Sequence, residues 1–358
     1  MIKYLGSKRV LIPELVERVR GLEGVSAVAD LFAGTSRVGH ALKAAGYRVV
    51  ANDHNAYAET LARCYVEADA EELADEAERH LVDLREVAAA ATVAEDGGYF
   101  TRTFCQESRF FRPENGARVD AVRRELARRM DAGELGDGDR ARRLEAVLLV
   151  SLMEAADRVD STTGVQMAYL KSWAPRADRE LELRLPALLP RAAQGPGLAL
   201  GLDAAEAAAR VADEVDLCYL DPPYNQHKYL GNYHVWETLV RDDEPEAYGV
   251  ARKRIDCRER KSAFNSKGAI RDALDRVVSA ALSGPRVRYL LVSFNDEGFL
   301  EPEAIEALLA PHGRVEVTSR DHARYVGAKI GIHNRAGQRV GSVGRLKNRE
   351  LTFLLRRH

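Results

Sequence analysis

Apolar and polar positions in the first sixty residues alternate between a helical period and short strand-like runs. Apolar residues over Val10–Val19 fall mostly on one helical face, which predicts a first helix. The apolar runs VSAVADLF and YRVVAND are typical of buried strands, and the amphipathic stretch His40–Ala45 between them is typical of a helix. Strand, glycine-containing turn, helix and strand make a βαβ unit, which implies a parallel sheet with a right-handed crossover.

The pattern becomes mainly helical between Val66 and Leu149. Apolar residues recur at helical spacing in three predicted helices, one marked by Leu73, Ala77, Leu81, Leu84 and Ala88, one over Val119–Arg129 and one over Ala141–Leu152. The segments GGYFTRTFCQESRFFRPENG and DAGELGDGD between them are predicted to be irregular. Because this block interrupts the alternation of strands and helices, we interpret it as an inserted lobe.

Strand-like runs then resume with VDLCYLDPPY, VRYLLVSFND, GRVEVTSRD and RELTFLLRR. We therefore predict an α/β fold with a Rossmann-like sheet and an inserted, mainly helical lobe. Residues 1–65 and 195–358 are predicted to form a discontinuous α/β domain, and residues 66–194 are predicted to form the lobe.

Composition limits the class of protein. With 358 residues, of which 46% are apolar, the chain is long enough for two domains with a sizeable core. The four cysteines form no CxxC pair, so we expect neither a disulfide scaffold nor a metal site. No apolar run reaches 18 residues, and the N-terminal sequence MIKYLGSKRV lacks the apolar core of a signal peptide. We therefore expect a soluble, cytoplasmic protein that does not bind a membrane.

Charge is strongly segregated along the chain, although the formal net charge is only −2. Residues 66–100 hold eleven acidic and two basic residues, a net of −9. Residues 252–271 hold eight basic and two acidic residues (+6), and residues 314–358 hold eleven basic and three acidic residues (+8). This distribution favours a protein that meets a polyanion with one face only.

The first chemical signal is DLFAGTSRVG at Asp30–Gly39, where a strand ends and a helix begins. Small residues at a strand end let the backbone pass close to a ligand. Asp53 lies nineteen residues after Gly34, at the end of the next strand, where it can accept hydrogen bonds from ribose hydroxyls. The motif is not GxGxxG, which disfavours a nicotinamide dehydrogenase, and Asp30 would repel a pyrophosphate. A cationic ligand without phosphates, such as S-adenosylmethionine (SAM), fits better.

The second signal is DPPY at Asp221–Tyr224, which directly follows the predicted strand Val215–Leu220. Pro222 and Pro223 fix φ, remove two backbone donors and end the strand. Hydrogen bonds from the exocyclic amino group of a base to the Asp221 carboxylate and the Pro222 carbonyl would favour a tetrahedral nitrogen with an available lone pair. Tyr224 could stack on a base flipped out of a duplex.

Weaker signals lie on either side of these motifs. The amides of KYLGSK at Lys3–Lys8 could bind a ligand carboxylate before the first helix. Asp203, upstream of the DPPY strand, could approach the adenine of a cofactor, although a loop Asp is also an ordinary turn former. Basic residues after the DPPY turn are interpreted as phosphate contacts, namely Arg252, Lys253, Arg254, Arg258, Arg260 and Lys261.

Taken in order, KYLGSK, DLFAGTSRVG, Asp53, Asp203 and DPPY resemble the motifs of amino-directed DNA methyltransferases of the alpha arrangement. This family includes Dam-like and FokI-type adenine-N6 methylases. Residues 160–186 (DSTTGVQMAYLKSWAPRADRELELRLP) also resemble the FokI-type members. The resemblance implies a SAM-dependent methyltransferase sheet, double-stranded DNA as the partner, and transfer of a methyl group to N6 of a flipped adenine. A separately encoded restriction nuclease would then be a further partner.

The resemblance also implies residue roles. Asp53 would hold the ribose, Asp203 the cofactor adenine, and Asp221–Tyr224 the target base. The remaining residues implied around SAM are Lys3, Tyr4, Gly6, Ser7, Lys8, Asp30, Phe32, Ala33, Gly34, Thr35 and Ser36. Two features depart from the family pattern: Ser36 stands where Dam-like members commonly carry a second glycine, and the helical lobe differs in size.

We therefore expect direct methyl transfer without a covalent enzyme intermediate, with the lobe as the target-recognition region. The protein is expected to be a monomer or weak dimer, associated with the nucleoid when it is bound to DNA. Transfer to cytosine N4 in the same site is the main alternative, and transfer to RNA or to a protein amide is another. A non-catalytic nucleic-acid-binding protein that kept the fold is the alternative from a different class.

Overall fold

The computed structural model describes residues 1–4, 8–323 and 347–358. Its helices, in chain order, are α1 (Ile12–Arg20), α2 (Arg37–Ala44), α3 (Ala56–Ala62), α4 (Ala70–Ala90), α5 (Val93–Asp96), α6 (Tyr99–Thr101), α7 (Pro113–Asp131), α8 (Gly138–Arg158), α9 (Ala204–Val211), α10 (Tyr229–Asn232), α11 (His234–Arg241), α12 (Ile270–Ala281) and α13 (Pro302–Leu309). Its strands are β1 (Ala27–Asp30), β2 (Arg48–Asn52), β3 (Leu198–Leu200), β4 (Leu217–Leu220), β5 (Ala247–Tyr248), β6 (Lys253–Arg254), β7 (Tyr289–Asn295), β8 (Gly313–Ala323) and β9 (Lys347–Arg357).

A seven-stranded sheet in the order β3-β2-β1-β4-β7-β9-β8 organises the α/β part. Strands β3, β2, β1, β4 and β7 are parallel, whereas β9 runs antiparallel to both β7 and β8. The direction of strand addition reverses between β1 and β4, which makes this pair the topological switch point of the sheet. The predicted βαβ unit and the Rossmann-like α/β fold are confirmed.

Helices cover both faces of the sheet because alternate residues of each strand point to opposite sides. Val28 of β1 packs with residues of α1 and α2, while its neighbours Ala27 and Ala29 pack with residues of α9, α12 and α13. Asn52 at the end of β2 joins three strand ends: its side-chain amide donates to the carbonyls of Leu31 and Leu202, and its Oδ1 accepts from the Leu202 amide.

The three long helices predicted for the lobe are confirmed as α4, α7 and α8. The segment predicted to be irregular instead contains α6 and a π-helical turn over Arg102–Gln106. Phe100, Phe104 and Phe111 form a buried cluster there, with the Phe100 ring centroid 5.1 Å from that of Phe104 and 5.2 Å from that of Phe111. Tertiary aromatic packing, and not a periodic apolar face, stabilises this turn.

The core of the lobe continues into the α/β part. Residues of α4, α7 and α8 share one hydrophobic cluster with Tyr57 of α3 and Trp236 of α11, both of which are fully buried. The lobe therefore packs directly onto the two helices that follow β2 and β4 along the chain. Among the described residues, no helix is both long enough and apolar enough to cross a membrane.

Candidate active site

Three strand ends converge on one pocket. Asp30 is the last residue of β1, Asp53 follows β2 and Asp221 follows β4, and all three line a pocket of about 890 Å³, including its open mouth. It lies at the switch point, where open α/β sheets bind their ligands. Of the residues proposed from the sequence, those that line it are Tyr4, Lys8, Asp30, Phe32, Ala33, Gly34, Thr35, Asp53, Asp221, Pro223 and Arg260.

Asp30 is a buried carboxylate without a satisfying partner. Its side chain is 1% exposed, and neither of its oxygens makes a hydrogen bond of normal geometry within the described residues. Burial, together with the charges of Asp221 and Asp53, raises the pKa of Asp30 to about 8 against a smaller opposing effect of nearby amides. A buried acceptor of this kind fits a ligand that brings a positive charge into the pocket.

The turn after β1 brings backbone close to the pocket. Gly34 has φ +51°, and a Cβ at this position would lie 3.0 Å from the hydroxyl of Tyr4. Asp53 Oδ2 accepts a hydrogen bond from the Gly34 amide at 3.1 Å, and Asp53 Oδ1 accepts two from Asn55 at 3.0 Å. The Asp53 carboxylate therefore holds the glycine turn as well as facing the pocket.

Ser36, the position that departs from the family pattern, adopts a left-handed conformation with φ +58°. It is fully buried, does not line the pocket, and its hydroxyl has no partner within the described residues. Glycine is favoured at such a position because it has no Cβ to strain the backbone. The serine therefore affects backbone strain and is not part of the pocket wall.

Asp221 is joined to a lysine and a second carboxylate. Lys8 Nζ lies 3.1 Å from Asp221 Oδ1 and also contacts the carboxylate of Glu350 on β9. Burial raises the pKa of Asp221 to about 6, although Lys8 opposes the shift. Burial also acts to lower the pKa of Lys8, but Asp221, Tyr219 and Glu350 together outweigh it, so the pKa of Lys8 is raised.

The other three residues of the DPPY turn lie in different surroundings. Pro223 lines the pocket, while Pro222 is buried. The Tyr224 ring packs against Phe294 at a centroid distance of 5.9 Å and is not part of the pocket wall. Burial raises the pKa of Tyr224 to about 12.

An aromatic stack that the sequence analysis missed forms one wall. The Tyr4 ring stacks on Tyr233 at 4.6 Å and on Tyr229 at 5.4 Å between centroids, and both Tyr4 and Tyr229 line the pocket. Tyr229 and Tyr233 lie only five and nine residues after Tyr224, so the aromatic spacing after DPPY was the available signal. Other lining residues without a prior assignment are Arg37, Val38, His54, Asn55, Tyr219, Lys228, Leu230, Ser262 and Asn265.

Besides Ser36, two residues implied around the cofactor lie away from the pocket wall. Lys3 donates its backbone amide to Asp157 at 3.1 Å and its ammonium to Asp160 at 2.8 Å, so it links the N-terminal segment to α8 of the lobe. Asp203 is exposed and caps α9 by accepting a hydrogen bond from the Ala205 amide at 3.0 Å. The remaining two, Gly6 and Ser7, lie outside the described residues.

Most of the basic residues proposed to contact phosphate are engaged within the protein. Arg254 is 2% exposed and pairs with Asp243 at 2.7 Å and with Asp256 at 3.0 Å, which leaves it no free donor face. Arg252 pairs with Glu107.

Arg260 donates to the fully buried Glu237 at 2.7 Å and to the His54 carbonyl at 3.2 Å, at the rim of the pocket. Lys253 is half-buried. Of the six basic residues proposed from the sequence, only Arg258 and Lys261 are exposed. Arg258 lies over the Tyr248 ring at 4.1 Å.

The doubly wound sheet and the acidic pocket at its switch point define a Rossmann-like protein with a site for a cationic, nucleoside-type ligand. The D12 class N6 adenine-specific DNA methyltransferase family matches residues 4–307, and the chain belongs to that family.

Similar proteins include two that are named type II methyltransferases. The type II methyltransferase M.FokI of Planomicrobium okeanokoites is 29% identical over 88% of this chain and 48% of its own length, and M.NlaIII of Neisseria lactamica is 26% identical over 93% of this chain and 95% of its own length. The chain thus spans about half the length of M.FokI. A solved SAM-dependent methyltransferase from Agrobacterium tumefaciens aligns with 99% of this chain and 63% of its own, but an identity of 11% and a TM-score of 0.37 are too low to establish a common fold.

Proposed function

We propose that this protein transfers the methyl group of SAM directly to N6 of an adenine that is flipped out of duplex DNA. The observation that carries the proposal is the Asp221 carboxylate of the DPPY turn, which faces the same pocket as the strand-end acids Asp30 and Asp53. Membership of an adenine-specific family supports adenine over cytosine.

SAM would supply an electrophilic methyl group on a cationic sulfur. The unpaired carboxylate of Asp30 suits a cationic part of that ligand, and Asp53 keeps acceptor capacity for ribose hydroxyls beyond its bonds to Gly34 and Asn55. Gly34 and Phe32 provide a close backbone turn and an apolar wall. Asp203 is assigned no cofactor contact here because it is exposed and caps α9.

Asp221 and the Pro222 carbonyl are proposed to accept hydrogen bonds from the amino group of the target base. These bonds would favour a tetrahedral nitrogen whose lone pair can attack the methyl carbon, so that the N–C bond would form as the C–S bond breaks and the neutral thioether S-adenosylhomocysteine would leave. The methylated nitrogen would then lose one proton to water. Tyr229 is a candidate for stacking on the flipped base because it lines the pocket, whereas Tyr224 packs against Phe294.

DNA is proposed to contact the lobe at residues 66–194 and the exposed basic residues Arg258 and Lys261. The name type II methyltransferase, which both M.FokI and M.NlaIII carry, supports a role in restriction and modification. A separately encoded nuclease is proposed as the further partner. The protein would then act at the nucleoid, as a monomer or weak dimer.

The test replaces Asp221 with Ala and measures methylated nucleosides by mass spectrometry after incubation with SAM and duplex DNA. We expect N6-methyladenine from the unaltered protein and none from Asp221→Ala, with SAM affinity changed less than about threefold because Asp221 contacts the base. Asp213→Ala is the matched control, since Asp213 is exposed and outside the pocket. A fully active Asp221→Ala protein would refute the mechanism, and N4-methylcytosine as the product would refute the target base.

A further inference from the structure

Glu350 is a buried carboxylate next to the catalytic turn that no motif identifies. Its side chain is 8% exposed, and it lies on β9 opposite Asn295 of β7. One oxygen contacts Lys8 Nζ, and the other accepts a hydrogen bond from the Asn295 side-chain amide at 3.3 Å. Both oxygens are therefore fixed, in a region where an unpaired carboxylate would be costly.

Within the described residues, Asp221 is held through one of its two oxygens. Lys8 Nζ lies 3.1 Å from Oδ1, and no described residue donates a hydrogen bond to Oδ2. Asp221 is 20% exposed and lines the pocket, so we assign Oδ2, the oxygen that Lys8 does not hold, to a ligand. Lys8 thus orients the carboxylate without occupying both of its acceptor positions.

Lys8, Asp221 and Glu350 form a group of three charges and not a simple ion pair. Lys8 and Asp221 alone would be neutral, whereas Lys8, Asp221 and Glu350 carry a net charge of −1 when all three are ionised. Positive charge develops on the amino nitrogen as it is methylated, and fixed negative charge nearby stabilises it. Glu350 therefore allows Lys8 to orient Asp221 without cancelling the negative charge of the site.

We propose that Glu350 is a positioning residue that anchors Lys8, so that Lys8 holds the Asp221 carboxylate ionised and with Oδ2 free for the amino group of the target base. This inference rests on the proposed methyl transfer and adds a residue outside the span of the family match, which ends at residue 307.

The surrounding ionisable groups are compatible with this arrangement. On the Asp221 side, the titratable groups around Asp221, Lys8 and Glu350 are Asp30, Tyr219, Tyr224 and Tyr229. On the other side, Glu350 lines a second cavity with Glu14, Arg18 and Arg320, and Arg320 is its strand partner on β8. After burial, Lys8 has the largest effect on the pKa of Asp221 and lowers it, while Glu350 has a smaller, opposite effect. If Glu350 acts by anchoring Lys8, it lowers the pKa of Asp221. If Glu350 acts only through its own negative charge, it raises that pKa.

The experiment is a double-mutant cycle on single-turnover methylation at saturating SAM and duplex DNA, with Lys8→Met, Glu350→Gln and the double variant. We expect Glu350→Gln to slow the reaction about 10- to 100-fold, the range typical of groups that orient a ligating side chain from outside. The double variant should be no slower than Lys8→Met alone, because Glu350 acts through Lys8. Independent, multiplying effects would overturn the proposal.

The acid limb of the pH profile of kcat/KM provides the second readout, since a purely structural change would not move it. If Glu350 anchors Lys8, replacing Glu350 loosens Lys8, and Lys8 is the group that most strongly lowers the pKa of Asp221. The limb should then shift to higher pH in Glu350→Gln, and further in Lys8→Met. A shift to lower pH in Glu350→Gln would mean that Glu350 acts only by its charge, and the anchoring role would be wrong.

Controls separate the possible failures. Glu316→Gln removes a partly exposed carboxylate from the neighbouring strand β8 and should leave both readouts unchanged. If Glu350→Gln does not fold, Glu350→Asp keeps the charge with a shorter reach and should show the same upward shift in smaller measure, and no shift would contradict the proposal. Absence of methylation by the unaltered protein would reject the proposed function, whereas normal methylation by Glu350→Gln would reject only the role of Glu350.

Discussion

Two buried carboxylates in this protein have opposite surroundings. Asp69, where the lobe meets α2, is 2% exposed, and its two oxygens accept from Lys43 at 2.8 Å and from Arg191 at 2.7 Å. Asp30, in the pocket, is 1% exposed and makes no normal hydrogen bond within the described residues. The two carboxylates are thus equally buried, but both oxygens of Asp69 have partners and neither oxygen of Asp30 has one of normal geometry within the described residues.

The difference distinguishes a buried carboxylate that stabilises the fold from one that we propose binds a ligand. Lys43 is 1% exposed at its side chain and also donates to the Ala68 carbonyl at 2.6 Å, so both partners of the Lys43–Asp69 pair are satisfied. A satisfied pair is retained in the folded state without any ligand. An unpaired buried carboxylate destabilises the free protein and becomes favourable when a cation binds beside it.

The largest loss of stability at neutral pH should come from breaking the satisfied pair. Lys43→Met leaves Asp69 buried with only Arg191 as a partner, and we expect the free energy of unfolding to fall by about 3–5 kcal/mol. Urea denaturation measures this change. Arg20→Met, which breaks the exposed Arg20–Glu17 pair, is the matched control and should cost less than about 1 kcal/mol. Equal losses in both variants would remove the distinction between buried and exposed pairs.

The next effect concerns Asp30 and pH. Burial raises the pKa of Asp30 from 3.8 to about 8, so the folded protein binds a proton that the unfolded chain releases. Stability should therefore fall as pH rises from about 4 to about 8, by up to about 1.4 kcal/mol per pH unit from this group. Asp30→Asn should remove that slope, so the ligand-free variant should be increasingly more stable than the unaltered protein towards pH 8.

Unfolding free energies of both proteins between pH 5 and 9 test this, since the predicted difference grows with pH. The same variant should bind SAM about 10- to 100-fold more weakly by calorimetry, because it lacks the charge that a cationic ligand would meet. If Asp30→Asn were less stable at every pH and bound SAM normally, the contrast with Asp69 would be lost.

The smallest effect is expected at Ser36. Its φ of +58° strains the backbone, and its buried hydroxyl has no partner within the described residues. Ser36→Gly should relieve both costs but adds flexibility to the unfolded chain, so we expect a net gain of about 0.5–1 kcal/mol. Thermal unfolding would reveal it as a small rise in Tm, while a fall would show that the serine side chain stabilises the turn.

The sequence was most informative where chemistry and strand ends coincide. Asp30, Asp53 and Asp221 each follow an apolar run, and parallel strands bring their carboxyl ends to one edge of the sheet. Glu350 was not recognised because β9 joins the site through antiparallel pairing with β7, far away along the chain. Residues contributed by long-range pairing leave no local motif.

Side-chain direction was the other quantity that the sequence did not determine. Tyr224 occupies the expected turn, yet its ring packs against Phe294, while Tyr229 faces the pocket. Arg254 belongs to a basic run that resembles a phosphate-binding surface, but Asp243 and Asp256 surround its guanidinium. Composition identifies a charge, whereas only the tertiary structure shows whether that charge is neutralised nearby.

The position of Lys3 connects two parts of the molecule mechanically. Its amide and ammonium are fastened to Asp157 and Asp160 at the end of α8, and the next residue, Tyr4, stands in the pocket wall between Tyr229 and Tyr233. Because Lys3 and Tyr4 are joined by one peptide bond, a displacement of α8 would also displace Tyr4 in the pocket wall. The N-terminal segment thus links the lobe directly to the pocket wall, by a route that does not include the sheet.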